Sequence, residues 1–239
     1  MLSDALSFPR RGDDWLSTLL VGGILTLLGP FVLPAIVLQG YLVRVLDYAA
    51  RREREPPSFT QWGSLFVDGL KLVVVNLVYG LIGAVPLVVV LGLFLLPVYT
   101  EAVPVESGSV PATPATAPPV GGGETGAGLV IFLVLLLVAV LLAVVVAYVL
   151  PAALANFAIE DRLGAAFDVR TVFAGAFTRD YFIAWVAAVV VGVVGGLVGS
   201  ALTAVVVGVF VLFYAQVAVY YLVGRGFAAG LAKKRWSEP

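Results

Sequence analysis

The sequence predicts an all-α protein: a polytopic transmembrane helix bundle of about six spans, arranged as three αα-hairpin repeats with two cytoplasmic interfacial amphipathic helices. Three observations predict it. Hydrophobic residues fill 61% of the 239 positions and charged residues 12%, far from the roughly half-apolar, quarter-charged make-up of a soluble domain, and the mean hydropathy is +1.07. Uncharged runs cover 72–100, 129–159 and 181–224, each longer than the ~20 apolar residues that carry a helix across ~30 Å of hydrocarbon. Three related strings, LPAIVLQGYLVR at 33–44, LPAALANFAIEDR at 150–162 and LFYAQVAVYYLVGR at 212–225, each close on an arginine.

Hairpin 1 covers about 13–50, with helices over Trp15–Leu28 and Phe31–Leu46 joined at Gly29-Pro30. At ~1.5 Å per residue these barely span. The competing topology is a single Pro-kinked helix from 16 to 43, five spans in all, with an outside N-terminus. The first apolar run is not expected to be a cleaved signal, because Leu33-Pro34-Ala35 is no small-x-small site and the apolar pattern continues to Tyr41. After the charged RREREPP at 51–57, stopped by Pro56-Pro57, an interfacial helix is expected over 58–70, where Phe59, Trp62, Phe66 and Leu70 recur at helical spacing.

Hairpin 2 covers about 71–163 and contains an outer loop at 98–127. That loop is rich in Pro, Ala, Thr and Gly and has no periodic apolar face, so it cannot offset its ordering entropy and reads as disordered. A second interfacial helix is expected over 166–178, on Val169, Val172, Phe173, Ala176 and Phe177, with Arg170 and Arg179 toward lipid phosphates. Hairpin 3 covers about 180–227, since 44 uncharged residues are too many for one helix and Gly199-Ser200 offers a turn. A basic tail follows at 228–239.

Orientation follows from where cations sit, because Lys and Arg flanking spans resist translocation. With the loop at 98–127 outside and an even number of crossings, all 14 basic residues fall on one side. Both termini are then cytoplasmic, the membrane is the cell's plasma membrane, and Arg44, Arg162 and Arg225 close their strings at the inner headgroups.

The chain has no cysteine and no histidine. That removes disulfides, thiolate and Ser-His chemistry and the usual zinc helices. A net charge of -1 gives no footprint for nucleic acid. The expectation is therefore a protein that is no enzyme and holds no metal or cofactor, with membrane lipids, and other spans or its own copies, as partners.

Intramembrane ionisable residues would mark transport, and the spans contain none. Their polar exceptions are Gln39, Asn76, Asn156 and Gln216, with Thr26, Ser200 and Thr203. Gln39 and Asn156 sit five and six residues before their closing arginines, which suits two groups facing one another across an axis. The blander reading is interhelical hydrogen bonding worth ~0.6 kcal/mol each. Gly192, Gly196 and Ser200 form a small-xxx-small ladder, overlapped by Gly195 and Gly199, and such ladders let helices pack closely. The adjacent acids Asp13-Asp14 and Glu160-Asp161 are expected to pair with Arg11 and Arg162.

The pattern ALSFPRRGDDWLSTLLVGGILTLL, then PAIVLQGYLVRVL, then PSFTQWGSLFVDGLK resembles a largely archaeal membrane family, domain of unknown function family 4013. The similarity takes in most of the chain outside 98–127 and is strongest over Ala5–Lys71. It implies an integral membrane protein in an archaeal setting and assigns no activity. The functional expectation is a membrane scaffold, assembly or lipid-interacting bundle; the alternative is a transporter or channel for a small neutral or lipidic solute.

Overall fold

The computed structural model describes residues 1–102 and 126–237, and it is helical throughout, with no strand among the described residues. The helices are α1 (Leu2–Ser7), α2 (Trp15–Leu27), α3 (Val32–Ala50), α4 (Trp62–Ala102), α5 (Gly126–Glu160), α6 (Val169–Ala176), α7 (Arg179–Leu202) and α8 (Val207–Ser237). Short 3-10 turns lie at Phe8–Arg10, Leu163–Phe167 and Thr203–Val205. Five helices, α3, α4, α5, α7 and α8, are long and apolar enough to cross a membrane. The sixth apolar helix, α2, has 13 residues, about 20 Å. The chain is a helical membrane protein.

The first hairpin breaks at Gly29-Pro30. Leu28 ends α2 and Phe31 is extended, at φ -89 and ψ 130, so no single kinked helix runs from 16 to 43. Pro34 falls in the first turn of α3, where its missing N–H would have had no partner within the helix anyway.

The interfacial helix expected over 58–70 is not separate. It is the start of α4, which runs unbroken through 71 for 41 residues. No capping side chain interrupts it there, and Asp68 and Lys71 pair at 3.2 Å across the expected join. The corresponding junction at 177–178 does break. Asp168 caps α6 by accepting from the Thr171 N–H, and Thr178 caps α7 by accepting from the Tyr181 N–H, so each helix has its own start. The apolar face expected of α6 is divided: Val172 and Ala176 are buried, whereas Val169, Phe173 and Phe177 are exposed.

Two further boundaries move. The turn expected at Gly199-Ser200 lies at Thr203–Val206 instead, where Val206 takes a left-handed φ of 62. Gly199 serves a different purpose, because a Cβ at Gly208 would run into its carbonyl oxygen: the two backbones nearly touch. The tail expected from 228 is the end of α8, held to the start of α7 by Lys233 and Asp180 at 2.6 Å. Residues 103–125 of the expected outer loop lie outside the described residues, while 98–102 continue α4 and 126–127 begin α5.

The chain forms two compact units, Met1–Leu77 with Tyr148–Pro239, and Val78–Ala147. In the first, α3 and α8 are central: half of the most apolar stretch of each is buried, against 6% in α4 and 11% in α5. Around them lie the buried run Ala152–Ala158 of α5, and Leu65, Leu72 and Val75 of α4. The tightest crossing joins α3 to α4. A Cβ on Gly40 would meet the Leu65 carbonyl oxygen, and one on Gly69 would meet that of Ile36, so neither position admits a side chain. In the second unit, α4 meets α5 with Phe94 stacked on Phe132 at 3.9 Å and with Gly83 beside Val146 and Ala143.

Candidate functional site: polar residues of the spans and the α7–α8 groove

No hydrogen bond joins any two of Gln39, Asn76, Asn156 and Gln216, and each has its own setting. Asn156 is 1% exposed and donates from Nδ2 to the Ala165 carbonyl at 2.8 Å. It holds the Leu163–Phe167 turn under the end of α5, a local task. Gln39, on α3, keeps a buried Oε1 with no hydrogen-bond partner, and two residues on the buried Tyr41 hydroxyl has none either. The 200° that separates residues i and i+2 on a helix sends these two groups to different faces. Asn76 is half-buried on α4.

Gln216 is half-buried on α8 and lines a groove of about 280 Å³ with Gly192 and Gly196 of α7 and Leu212, Val219 and Tyr220 of α8. The ladder in this groove is not the one that packs α7 on α8. A Cβ at Gly196 would meet nothing within 4 Å and one at Gly192 only Val219 at 3.5 Å, whereas Gly195 would strike Ala215 and Gly199 would strike Leu212. Ser200 is exposed. The overlapping pair Gly195 and Gly199 is therefore the close contact, and the expected ladder faces outward.

The three closing arginines act differently. Arg44 forks across to the entry of α4, donating to the Thr60 carbonyl just before the helix at 2.9 Å and to the Ser64 hydroxyl in its first turn at 2.6 Å. Arg162 donates to Glu160 at 2.7 Å. Arg225 stacks over the Tyr221 ring at 5.9 Å. Asp161 pairs with Lys71 at 3.5 Å, and that ammonium also lies 6.0 Å over the Phe157 ring, so a cation of α4 is tied to the end of α5. Arg11 pairs with Asp4 at 3.4 Å, not with Asp13 or Asp14, because α1 folds back to bring Asp4 beside it.

The helix α1 has no counterpart in the sequence reading. With the 3-10 turn that follows, it docks on α8: Phe8 meets Tyr221 with tilted rings at 4.4 Å, Arg10 lies over Tyr214 at 5.5 Å, and the Tyr214 hydroxyl donates to the Leu6 carbonyl. Ala5 and Phe8, three apart and both buried, are the signal that marks it.

The family model described as a protein of unknown function, DUF4013, matches residues 23–204. The chain belongs to that family. No curated protein and no solved structure matches it. In this DUF4013 chain the matched range takes in Gln39, Asn76, Asn156 and the groove face of α7, but stops before α8, and so before Gln216 and Arg225. It also leaves out the motif at 5–22, where the resemblance looked strong.

Another pair of polar residues went unnoticed in this DUF4013 sequence. Tyr148 donates to the Ala176 carbonyl at 2.6 Å, and Tyr181 donates to the Tyr148 carbonyl at 2.9 Å, fastening α5 to the α6–α7 junction. The rings meet edge to face at 5.4 Å. Outside the spans, Asp168 is held below the ordinary aspartate value of 3.8 by the Thr171 hydroxyl and N–H, and Asp4 by the N-terminal ammonium and Arg11. Among the described residues no three metal-ligating side chains gather.

Proposed function

We propose that this protein is a membrane scaffold, a bundle that presents apolar helix faces to lipid and to the spans of partner proteins. The observation that carries this reading is the contrast in burial: half of the apolar stretch of α3 and α8 is covered by the chain's own helices, against 6% and 11% in α4 and α5. Faces as bare as Val88 and Leu137, at 65% and 58% exposed, need other apolar matter around them. With its cations at one leaflet, the bundle sits in the plasma membrane with both termini cytoplasmic, and the reading assigns it no reaction.

The experiment is photo-crosslinking in native membranes from probes at Val88 and Leu137. A scaffold gives a defined protein adduct; recovery of lipid alone would refute the protein-binding half of the reading. Single cysteines added near each terminus, labelled on intact cells with an impermeant reagent, test the orientation, with both expected to be shielded.

A second reading, a path for a small neutral or lipidic solute, draws on the unpaired Gln39 Oε1, since a solute with a polar group would satisfy it. It requires that Gln39→Leu abolish solute flux in proteoliposomes without unfolding the bundle.

A further inference from the structure

We propose that α6 lies in the headgroup region of the membrane, with Val169, Phe173 and Phe177 among the upper acyl carbons and Arg170 and Arg179 on the phosphates of anionic lipids. This goes beyond the scaffold reading, which rests on the bare faces of α4 and α5 and names no lipid.

The depth of α6 follows from α7. The apolar stretch Arg179–Val205 has 27 residues, about 40 Å at ~1.5 Å per residue, whereas the hydrocarbon is ~30 Å thick and the headgroups bring the whole to ~40–45 Å. Whichever way α7 crosses, its first residue therefore lies among headgroups, and Phe177 is two residues before it. The aromatic side chains beside this junction agree. Tyr148 meets Tyr181 at 5.4 Å and Trp185 at 5.2 Å, and rings with a polar tip collect at the boundary between membrane and water.

The orientation of α6 follows from its packing. Val172, Gly175 and Ala176 are buried, and a Cβ at Gly175 would strike the Phe227 ring of α8, so that side is fixed. Val169, Phe173 and Phe177 are spaced by four and share another side. They are 62%, 40% and 67% exposed, with the two phenyl rings stacked at 5.4 Å. Leaving three such side chains in water is unfavourable, and three are too few for a stable protein partner, whose contact takes roughly 20–30 residues a side. The lipid that surrounds Phe182 and Ile183, exposed at the start of α7, can cover a strip of this size.

The charges select the lipid. Asp168 is occupied by the Thr171 hydroxyl at 2.7 Å and Asp180 by Lys233 at 2.6 Å. Arg170 and Arg179 are exposed, and no carboxylate among the described residues pairs with either. Cations bordering an apolar strip complement an anionic headgroup, at about fivefold in affinity for each arginine.

The chain has no cysteine, so one introduced thiol reports cleanly. The full chain with Phe173→Cys is labelled with bimane and placed in vesicles of phosphatidylcholine and phosphatidylglycerol, one of the two brominated at a time. Both brominated lipids should quench the label more strongly than aqueous iodide does, while a label at Glu53→Cys should show the reverse. The preference for phosphatidylglycerol should fall about fivefold on Arg170→Gln and about fivefold again on Arg179→Gln, with quenching by brominated phosphatidylcholine retained. An unchanged unfolding midpoint shows that each variant is folded, and Val169→Cys repeats the measurement should Phe173→Cys fail to fold. The proposal is overturned if iodide quenches position 173 as strongly as position 53, which puts the strip in water, or if the two lipids quench alike in the parent protein. A photo-crosslinker at 173 that recovers a protein from native membranes overturns it equally. Crosslinking from Val88 and Leu137 tests the scaffold reading separately, and neither result decides the other.

Discussion

Replacing Gly40 by alanine is the sharpest test of how α3 and α4 hold together. A methyl built there would stand 1.8 Å from the Leu65 carbonyl oxygen, and one built at Gly69 the same distance from the Ile36 oxygen. A carbon and an oxygen rest at roughly 3.3 Å, so the helices must part by about 1.5 Å to admit either methyl. A radial gap of even ~1 Å forfeits up to half of the dispersion well for every atom pair at the crossing, and the reciprocal Cα–H···O contacts, at ~0.5–1 kcal/mol each, go with it. Overpacking of this kind costs about 1–3 kcal/mol, after alanine's ~1 kcal/mol advantage over glycine in a helix is set against a larger gross loss. Gly80→Ala is the control, because nothing lies within 4 Å of a Cβ there; it should be neutral or stabilising. Reversible unfolding in mixed detergent micelles reads the difference. If Gly40→Ala is as stable as Gly80→Ala, the helices do not cross backbone to backbone.

Other expectations follow from the polar groups. Asn156→Leu should cost about 0.5–1.5 kcal/mol by removing one of the two hydrogen bonds to the buried Ala165 carbonyl, which keeps that of the Asp168 N–H, whereas Gln39→Leu should be neutral or stabilising because its Oε1 has no partner to lose; equal losses in unfolding assays would contradict both assignments. Tyr148→Phe and Tyr181→Phe should each cost about 0.5–1.5 kcal/mol and prove non-additive in a double-mutant cycle, since each residue's bond positions the other's; strict additivity would mean the two bonds act independently. The cap at Asp168 gives a pH dependence. Its folded pKa is depressed below 3.8, so its stabilisation of α6 is present above that value and lost as pH falls through the lower one. Proteolysis around 163–178 should therefore rise on acidification below 3.8 in the parent protein and be insensitive to that step in Asp168→Asn.

What could be read in the sequence was whatever depends on the solvent around each residue. Apolar runs of more than twenty residues name spans whichever way they pack, and Gly29-Pro30 marks a break whatever lies beside it. Boundaries set by tertiary contact could not be read. Whether the stretch before a span stands alone turned on a single side chain: Thr178 begins α7 with a cap, while α4 passes Asp68, Gly69 and Lys71 with nothing to stop it. Gly199 looked like a turn because glycine so often is one, yet here it lets α8 approach α7.

The candidate site is only half visible in the sequence for the same physical cause. Polar residues in spans stand out in sequence, so Gln39, Asn156 and Gln216 were found; their differences lie in what faces them, and the structure gives Asn156 a carbonyl and Gln216 an open groove. Glycines carry the opposite difficulty, since Gly192 and Gly196 alternate with Gly195 and Gly199 along α7 and periodicity cannot say which pair meets α8. The geometry separates them: one pair is used up within the chain and the other is bare. The bare pair and the Gln216 amide line the same groove, a placement that follows from how α8 crosses α7 and that no spacing along either helix announces.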